Sequence, residues 1–79
     1  MLFATTTPIK ANVQGVPCVV IRGKLRNDGF YLQIRITGTK SATYFKGQIH
    51  WKPERDVYPA KSDGPAFPGF WQICMRKEA

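Results

Sequence analysis

Acidic residues are scarce in the first two thirds of this chain. Between Met1 and Pro53 the only acidic residue is Asp28, set against eight lysine and arginine residues. That stretch carries the whole formal net charge of +7, and the remainder of the 79-residue chain is neutral. Lysine that served only solubility would be spread along the chain, so the asymmetry favours a polyanionic partner.

Long apolar runs are missing as well. The longest, Val16 to Ile21, is interrupted by Pro17 and falls far short of the roughly 18 residues that a membrane span needs. The N-terminal residues lack the cationic start and long apolar centre of a secretory signal. We therefore expect no membrane partner and a cytoplasmic location. In such a reducing compartment, Cys18 and Cys74 are expected to be small buried hydrophobic residues and not a disulfide.

Groups that carry catalytic chemistry are few. His50 is the single histidine, and the sequence has neither a glycine-rich phosphate loop nor a nucleophile motif. A zinc site would have to combine His50, Cys18 and Cys74 from three separate strands, without the close ligand pairs of structural zinc sites. We therefore predict a protein that is not an enzyme, with no catalytic residue, metal site or cofactor.

What the sequence does contain is alternation of apolar and polar residues with a period of two, rich in β-branched and aromatic types. It predicts a single all-β domain over residues 1–79: a small five-stranded antiparallel barrel or strongly curled sheet, OB-like or SH3-like. The strands are expected near residues 9–14, 18–26, 30–37, 43–51 and 70–76. A long proline- and glycine-rich loop, 52–69, precedes the last strand.

The alternation also predicts which side chains point inward. A two- or four-residue turn near Asn27 and Asp28 keeps the core residues together, with Leu25 opposite Phe30 and Ile21 opposite Ile34. The expected inward set is Ile9, Ala11, Val13, Val19, Ile21, Gly23, Leu25, Phe30, Leu32, Ile34, Ile36, Phe45, Gly47, Ile49, Trp51, Trp71, Ile73 and Met75.

The opposite face of the predicted sheet combines cations with aromatic rings. Tyr31 and Tyr44 have the polar parity, where a ring gains little from folding, and the expected register places Lys24 and His50 on either side of Tyr31. Cations that follow phosphates and rings that stack on bases are typical of proteins that hold single strands. The predicted nucleic-acid-binding residues are Arg22, Lys24, Arg26, Tyr31, Arg35, Tyr44, Lys46 and His50.

The resulting functional hypothesis is a small basic protein that binds single-stranded DNA or RNA. In size and charge the chain is similar to the small strand-coating proteins of filamentous phages, so we expect a phage or another mobile element as its source. The alternative is a protein-binding module or inhibitor that docks on an acidic or nucleic-acid-binding protein through Tyr58, Phe67 and Phe70 of the long loop. Because short barrels with open edge strands often pair, a homodimer is among the expected states.

Overall fold

The computed structural model describes residues 1–38 and 42–78 and shows one antiparallel sheet curled into a half-barrel. The predicted all-β, barrel-like fold is confirmed. The hydrogen-bonded order is β4-β3-β2-β1-β5, and a short β6 pairs with the start of β1. The strands are β1 (Leu2–Val13), β2 (Val16–Arg26), β3 (Gly29–Ile36), β4 (Ile49–Pro53), β5 (Val57–Pro59) and β6 (Arg76–Lys77).

Two tight turns join the first three strands. At the β1–β2 turn Gln14 and Gly15 both have positive φ, 49° and 78°, which gives the mirror-image turn whose twist matches that of paired strands. The β2–β3 turn at residues 27–28 sets Leu25 opposite Phe30. The even loop length predicted from the parity of the core residues is confirmed at this turn.

The core lies on the inner side of the curled sheet. Every second residue of β3 from Phe30 to Ile36 is buried, as the alternation predicts. The Phe30 ring from the neighbouring strand lies over Gly23, where a Cβ atom would be 2.3 Å from Cζ of Phe30, so a larger residue at this position would displace the buried ring. The core residues are Phe3, Ala11, Val13, Val16, Cys18, Val20, Phe30, Leu32, Ile34, Ile36, Tyr44, Val57, Trp71 and Met75.

A bulge in β2 overturns part of the predicted register. Val20, not Ile21, lies opposite Ile34, and Ile21 is the extra residue before the pairing resumes at Arg22. The extra residue reverses the alternation, so the residues before Ile21 have the parity opposite to the predicted one: Val20 is fully buried and Val19 faces outward. The predicted pairing of Ile21 with Ile34 and the inward placement of Val19 are wrong.

The fourth strand is shorter than predicted, and its faces are reversed. It begins at Ile49, because residues 45–48 form a turn in which Gly47 has a φ of 93°. The turn lets Tyr44 enter the core with 3% of its surface exposed, whereas Phe45, Ile49 and Trp51 are exposed. The predicted inward positions of those three residues are therefore wrong. The connection between the predicted strands 30–37 and 43–51 lies partly outside the described residues.

The predicted loop over residues 52–69 contains structure of its own. A 3-10 turn at Glu54–Asp56, where the sequence allows one helical turn after Pro53, leads from β4 into β5. β5 pairs with the end of β1, with Val57 opposite Val13, so the chain crosses from one edge of the sheet to the other. Val57 is fully buried and closes the core at this end.

The predicted last strand, 70–76, is instead a helical turn, α1 (Phe70–Ile73), followed by β6. Gly69, with a φ of 88°, starts the turn, and Trp71 and Met75 reach the core at helical spacing. Ile73 points outward, 76% exposed, which contradicts the predicted inward position. Both cysteines are free, but Cys74 is exposed and only Cys18 is buried.

Candidate nucleic-acid interface

The outer side of β2, β3 and β4 carries most of the predicted binding residues, and the strand pairing sets them in rows. Side chains directly opposite each other in antiparallel strands point to the same face. The bulge at Ile21 keeps Arg22, Lys24 and Arg26 on this side, where β3 contributes Tyr31 and Arg35. The rows are Lys24–Tyr31–Pro53, Arg22–Gln33–Trp51 and Val19–Arg35–Ile49.

Tyr31 is fixed at the β2–β3 turn by two neighbours. Its hydroxyl donates a hydrogen bond of 2.7 Å to Oδ2 of Asp28, and Cζ of Arg26 lies 5.2 Å from the ring centroid. The hydrogen bond raises the pKa of the Tyr31 hydroxyl and lowers the pKa of the Asp28 carboxyl. The turn therefore holds the phenol ring in a defined orientation on the outer side of the sheet.

A cleft of about 150 Å³ opens beside this ring and is lined by Lys24, Arg26, Tyr31 and Trp51. Trp51 lies diagonally across from Tyr31, at a separation of about 7–8 Å that aromatic side chains can bridge. More than two fifths of the Trp51 surface is exposed. The cleft thus offers two aromatic surfaces for stacking and two cations for phosphate oxygens.

The charge of this surface is largely uncompensated. Within residues 1–38 and 42–78, the only ion pair joins Nε of Arg26 to Oδ1 of Asp28, at 3.9 Å. Arg22, Lys24 and Arg35 are exposed. Arg55 adds positive potential at the same corner, where it contributes to lowering the pKa values of both Tyr31 and Asp28. An anion can therefore approach without displacing an internal carboxylate from most of these cations.

Three predicted site residues do not join this surface. Tyr44 is buried on the inner side, where the His50 ring packs edge-on against it with centroids 5.2 Å apart. Nε2 of His50 lies 3.2 Å from Oε1 of Gln48. Lys46 is exposed in the turn before β4. The predicted placement of Tyr31 opposite His50 is wrong, because Pro53 occupies that position.

Sequence reasoning missed Trp51 and Arg55, which the fold adds to this corner. Trp51 shares the parity of Phe45, and an unbroken strand would have buried both. The signal that a turn precedes β4 is Gly47, whose positive φ few other residue types adopt readily. Arg55 lies in the 3-10 turn that follows β4, a position that depends on how the chain leaves the strand.

A second, larger cavity lies at the other end of the sheet. Its volume is about 470 Å³, and Lys10 and Lys61 provide its cationic groups. Lys10 pairs with Val19, which in turn pairs with Arg35, so this cavity continues the cationic outer side. The remaining lining residues are Ala11, Asn12, Pro17, Cys18, Val19, Thr37 and Ala60.

The chain matches no protein family, no curated protein and no solved structure. In the part of the chain that the structure describes, no helix is long and apolar enough to cross a membrane. The same residues contain no group of three or more histidine, cysteine, aspartate or glutamate side chains placed to hold a metal ion.

Proposed function

We propose that this protein binds single-stranded DNA or RNA on the outer side of β2, β3 and β4. The observation that carries the proposal is the cleft in which Tyr31 and Trp51 are flanked by Lys24 and Arg26. Bases have π faces whatever their sequence, so stacking on exposed rings supports binding without sequence readout. Phosphates of the same strand contact the lysine and arginine side chains beside the rings.

The protein-binding alternative receives less support from the long loop. Of its three expected anchors, Tyr58 is half-buried and Phe70 packs against the core, which leaves Phe67 as the exposed ring. The Phe67 ring itself packs edge-on against Phe70, at 5.5 Å between centroids. The cationic and aromatic surface is therefore better suited to a ligand than this loop is.

The first test is the salt dependence of binding. Four cations on the surface, Arg22, Lys24, Arg26 and Arg35, predict that log affinity for a labelled oligonucleotide falls with log salt at a slope of about 3. Fluorescence anisotropy at several salt concentrations measures this slope. If the protein shows no saturable binding at low salt, where electrostatic attraction is strongest, the proposal is wrong and the protein-binding alternative replaces it.

Charge reversal locates the contacts. Arg22→Glu should weaken binding to every sequence and reduce the salt slope by about 0.7 or more. Lys77→Glu makes the same change of charge on β6, away from the cleft, and should have a much smaller effect. Equal losses in the two variants would indicate nonspecific attraction to net charge and would contradict a defined binding surface.

Stacking is tested separately from charge. Trp51→Ala should weaken binding by about 1–3 kcal/mol, roughly 5- to 150-fold, with the salt slope unchanged. Trp51→Phe keeps an aromatic face and should retain most of the affinity. Because Trp71 is buried, oligonucleotide-dependent quenching of tryptophan emission should come from Trp51 and disappear in both variants. Quenching that persists in Trp51→Phe would contradict this assignment.

A further inference from the structure

β4 forms an open edge of the sheet. The hydrogen bond of 2.8 Å from the Ile36 N–H to the Gln48 carbonyl shows which opposite residues of β3 and β4 are hydrogen-bonded pairs, since such pairs alternate with non-hydrogen-bonded ones. His50, opposite Ile34, therefore directs its backbone groups toward β3, whereas Ile49 and Trp51 direct theirs away from the sheet. No residue in the described ranges pairs with this outer side of β4.

The exposed stretch of this edge is apolar and short. Ile49 and Trp51 expose 55% and 43% of their surfaces, whereas Lys52 and Pro53, residue types that protect edge strands, end β4. The opposite edge, β5, has three residues and also ends in a proline, Pro59. The outward backbone groups of Ile49 and Trp51 therefore leave a short apolar template for pairing with another strand.

We propose that two copies of this chain pair antiparallel through their β4 edges, with a two-fold axis at His50. In this register Ile49 of each copy lies opposite Trp51 of the other. The backbone N–H and C=O groups of Ile49 and Trp51 point away from β3. In this register each Ile49 forms a hydrogen-bonded pair with the Trp51 of the other copy, so none of these groups is left unsatisfied. An aromatic residue opposite a β-branched residue is also a favourable cross-strand pair.

The edge is complementary to itself, which favours a second copy over an unrelated strand. The outward residues are placed symmetrically about His50, so one register satisfies both copies. Each copy carries a net charge of +7, so salt that screens the repulsion between the two copies should favour the pairing.

Such a dimer presents both outer faces on the same side of one continuous sheet. The two Tyr31–Trp51 clefts then lie on one surface, on either side of the two-fold axis. Resting on the proposed function, this arrangement predicts that a single strand long enough to cross the axis contacts both copies. The pairing itself does not depend on nucleic acid.

Cross-linking tests the register. Across the axis the His50 residues form a non-hydrogen-bonded pair with Cα atoms about 4.5 Å apart, which suits a disulfide. In a Cys74→Ser background, His50→Cys should form a covalent dimer on mild oxidation in about 1 M salt, where screening weakens repulsion. Lys52→Cys is the matched control, because the two Lys52 positions lie about 14 Å apart in this register. Equal cross-linking in both variants, or none in His50→Cys, would overturn the proposed register.

Proline substitution tests the hydrogen bonds of the edge. Ile49→Pro removes an N–H that β3 does not use, so the monomer should still fold, whereas Ile49→Val keeps the N–H. Sedimentation in high salt should give a dimer for wild type and Ile49→Val and a monomer for Ile49→Pro. If circular dichroism shows that Ile49→Pro is unfolded, Ile49→Lys replaces it as the test. This variant keeps the N–H but places like charges beside the axis, and it should also give a monomer. A wild-type monomer at all concentrations, or dimeric Ile49→Pro and Ile49→Lys, would overturn the pairing.

The nucleic-acid readout separates the two proposals. On a strand long enough for two copies, wild type should bind cooperatively and Ile49→Pro should bind without cooperativity, with the affinity of each protein for a short oligonucleotide as its own reference. Binding to the short oligonucleotide without cooperativity on the long one would contradict the dimer and keep the proposed function. A dimer that binds neither oligonucleotide would contradict the proposed function and keep the pairing.

Discussion

Residues before and within β4 face the side opposite to the one that the sequence predicts. Tyr44 should therefore contribute more to the free energy of unfolding than Trp51. Tyr44 has 3% of its surface exposed and contacts the His50 ring, whereas Trp51 has 43% exposed on an edge strand. Removing a buried aromatic ring costs about 3 kcal/mol or more, because a cavity remains. Trp51→Ala removes a ring that is little more than half buried and should cost only about 1 kcal/mol.

These costs translate into separable melting temperatures. For a chain of 79 residues, 1 kcal/mol corresponds to about 4–8 °C. Tyr44→Ala should therefore lower the melting temperature by about 12–24 °C and Trp51→Ala by about 4–8 °C, as followed by far-UV circular dichroism. Tyr44→Phe keeps the ring in the core and should remain much closer to wild type than Tyr44→Ala. A larger loss in Trp51→Ala than in Tyr44→Ala would refute the assignment of the two faces.

Two further predictions concern titratable side chains. The Tyr31–Asp28 hydrogen bond requires a protonated tyrosine and is strongest with an ionised aspartate, so it should be lost as pH rises through the raised pKa of Tyr31 and weakened as pH falls through the lowered pKa of Asp28. In an absorbance titration, Asp28→Asn should shift the ionisation of Tyr31 to lower pH, and an unchanged curve would contradict the bond. Cys74, which is exposed, should react rapidly with a thiol reagent, whereas burial raises the pKa of Cys18 to about 11 and should delay its reaction until the protein unfolds. Equal rates in the folded protein would contradict the burial of Cys18.

The sequence predicts the fold best in strands where the residue types allow only one assignment of inward and outward positions. In β3, arginine, glutamine and tyrosine between the apolar residues leave only one face for the core, and that face is buried. In β2, by contrast, Val19, Val20 and Ile21 are all apolar. Either parity satisfies the pattern there, so the alternation alone gives no sign of the bulge.

The site was predictable to the extent that it depends on β2 and β3. Arg22, Lys24 and Arg26 keep the face expected of them, because the bulge lies before all three. Tyr44 and Trp51 exchange roles because a turn, not a continued strand, precedes β4. Trp71 and Met75 were expected inside for the wrong reason, since residues four apart share a face both in a strand and in a helical turn.

The two tight turns that join β1, β2 and β3 also bear on the order in which the chain folds. Contacts within this meander span short stretches of sequence, whereas the pairing of Ala11 with Pro59 closes a loop of nearly fifty residues. Since long loops close more slowly, we expect the meander to form first and the β5 closure to follow. Until Val57 and Trp71 arrive, the apolar side of the meander is open to solvent. A nascent chain is therefore most prone to aggregation during synthesis of its last third.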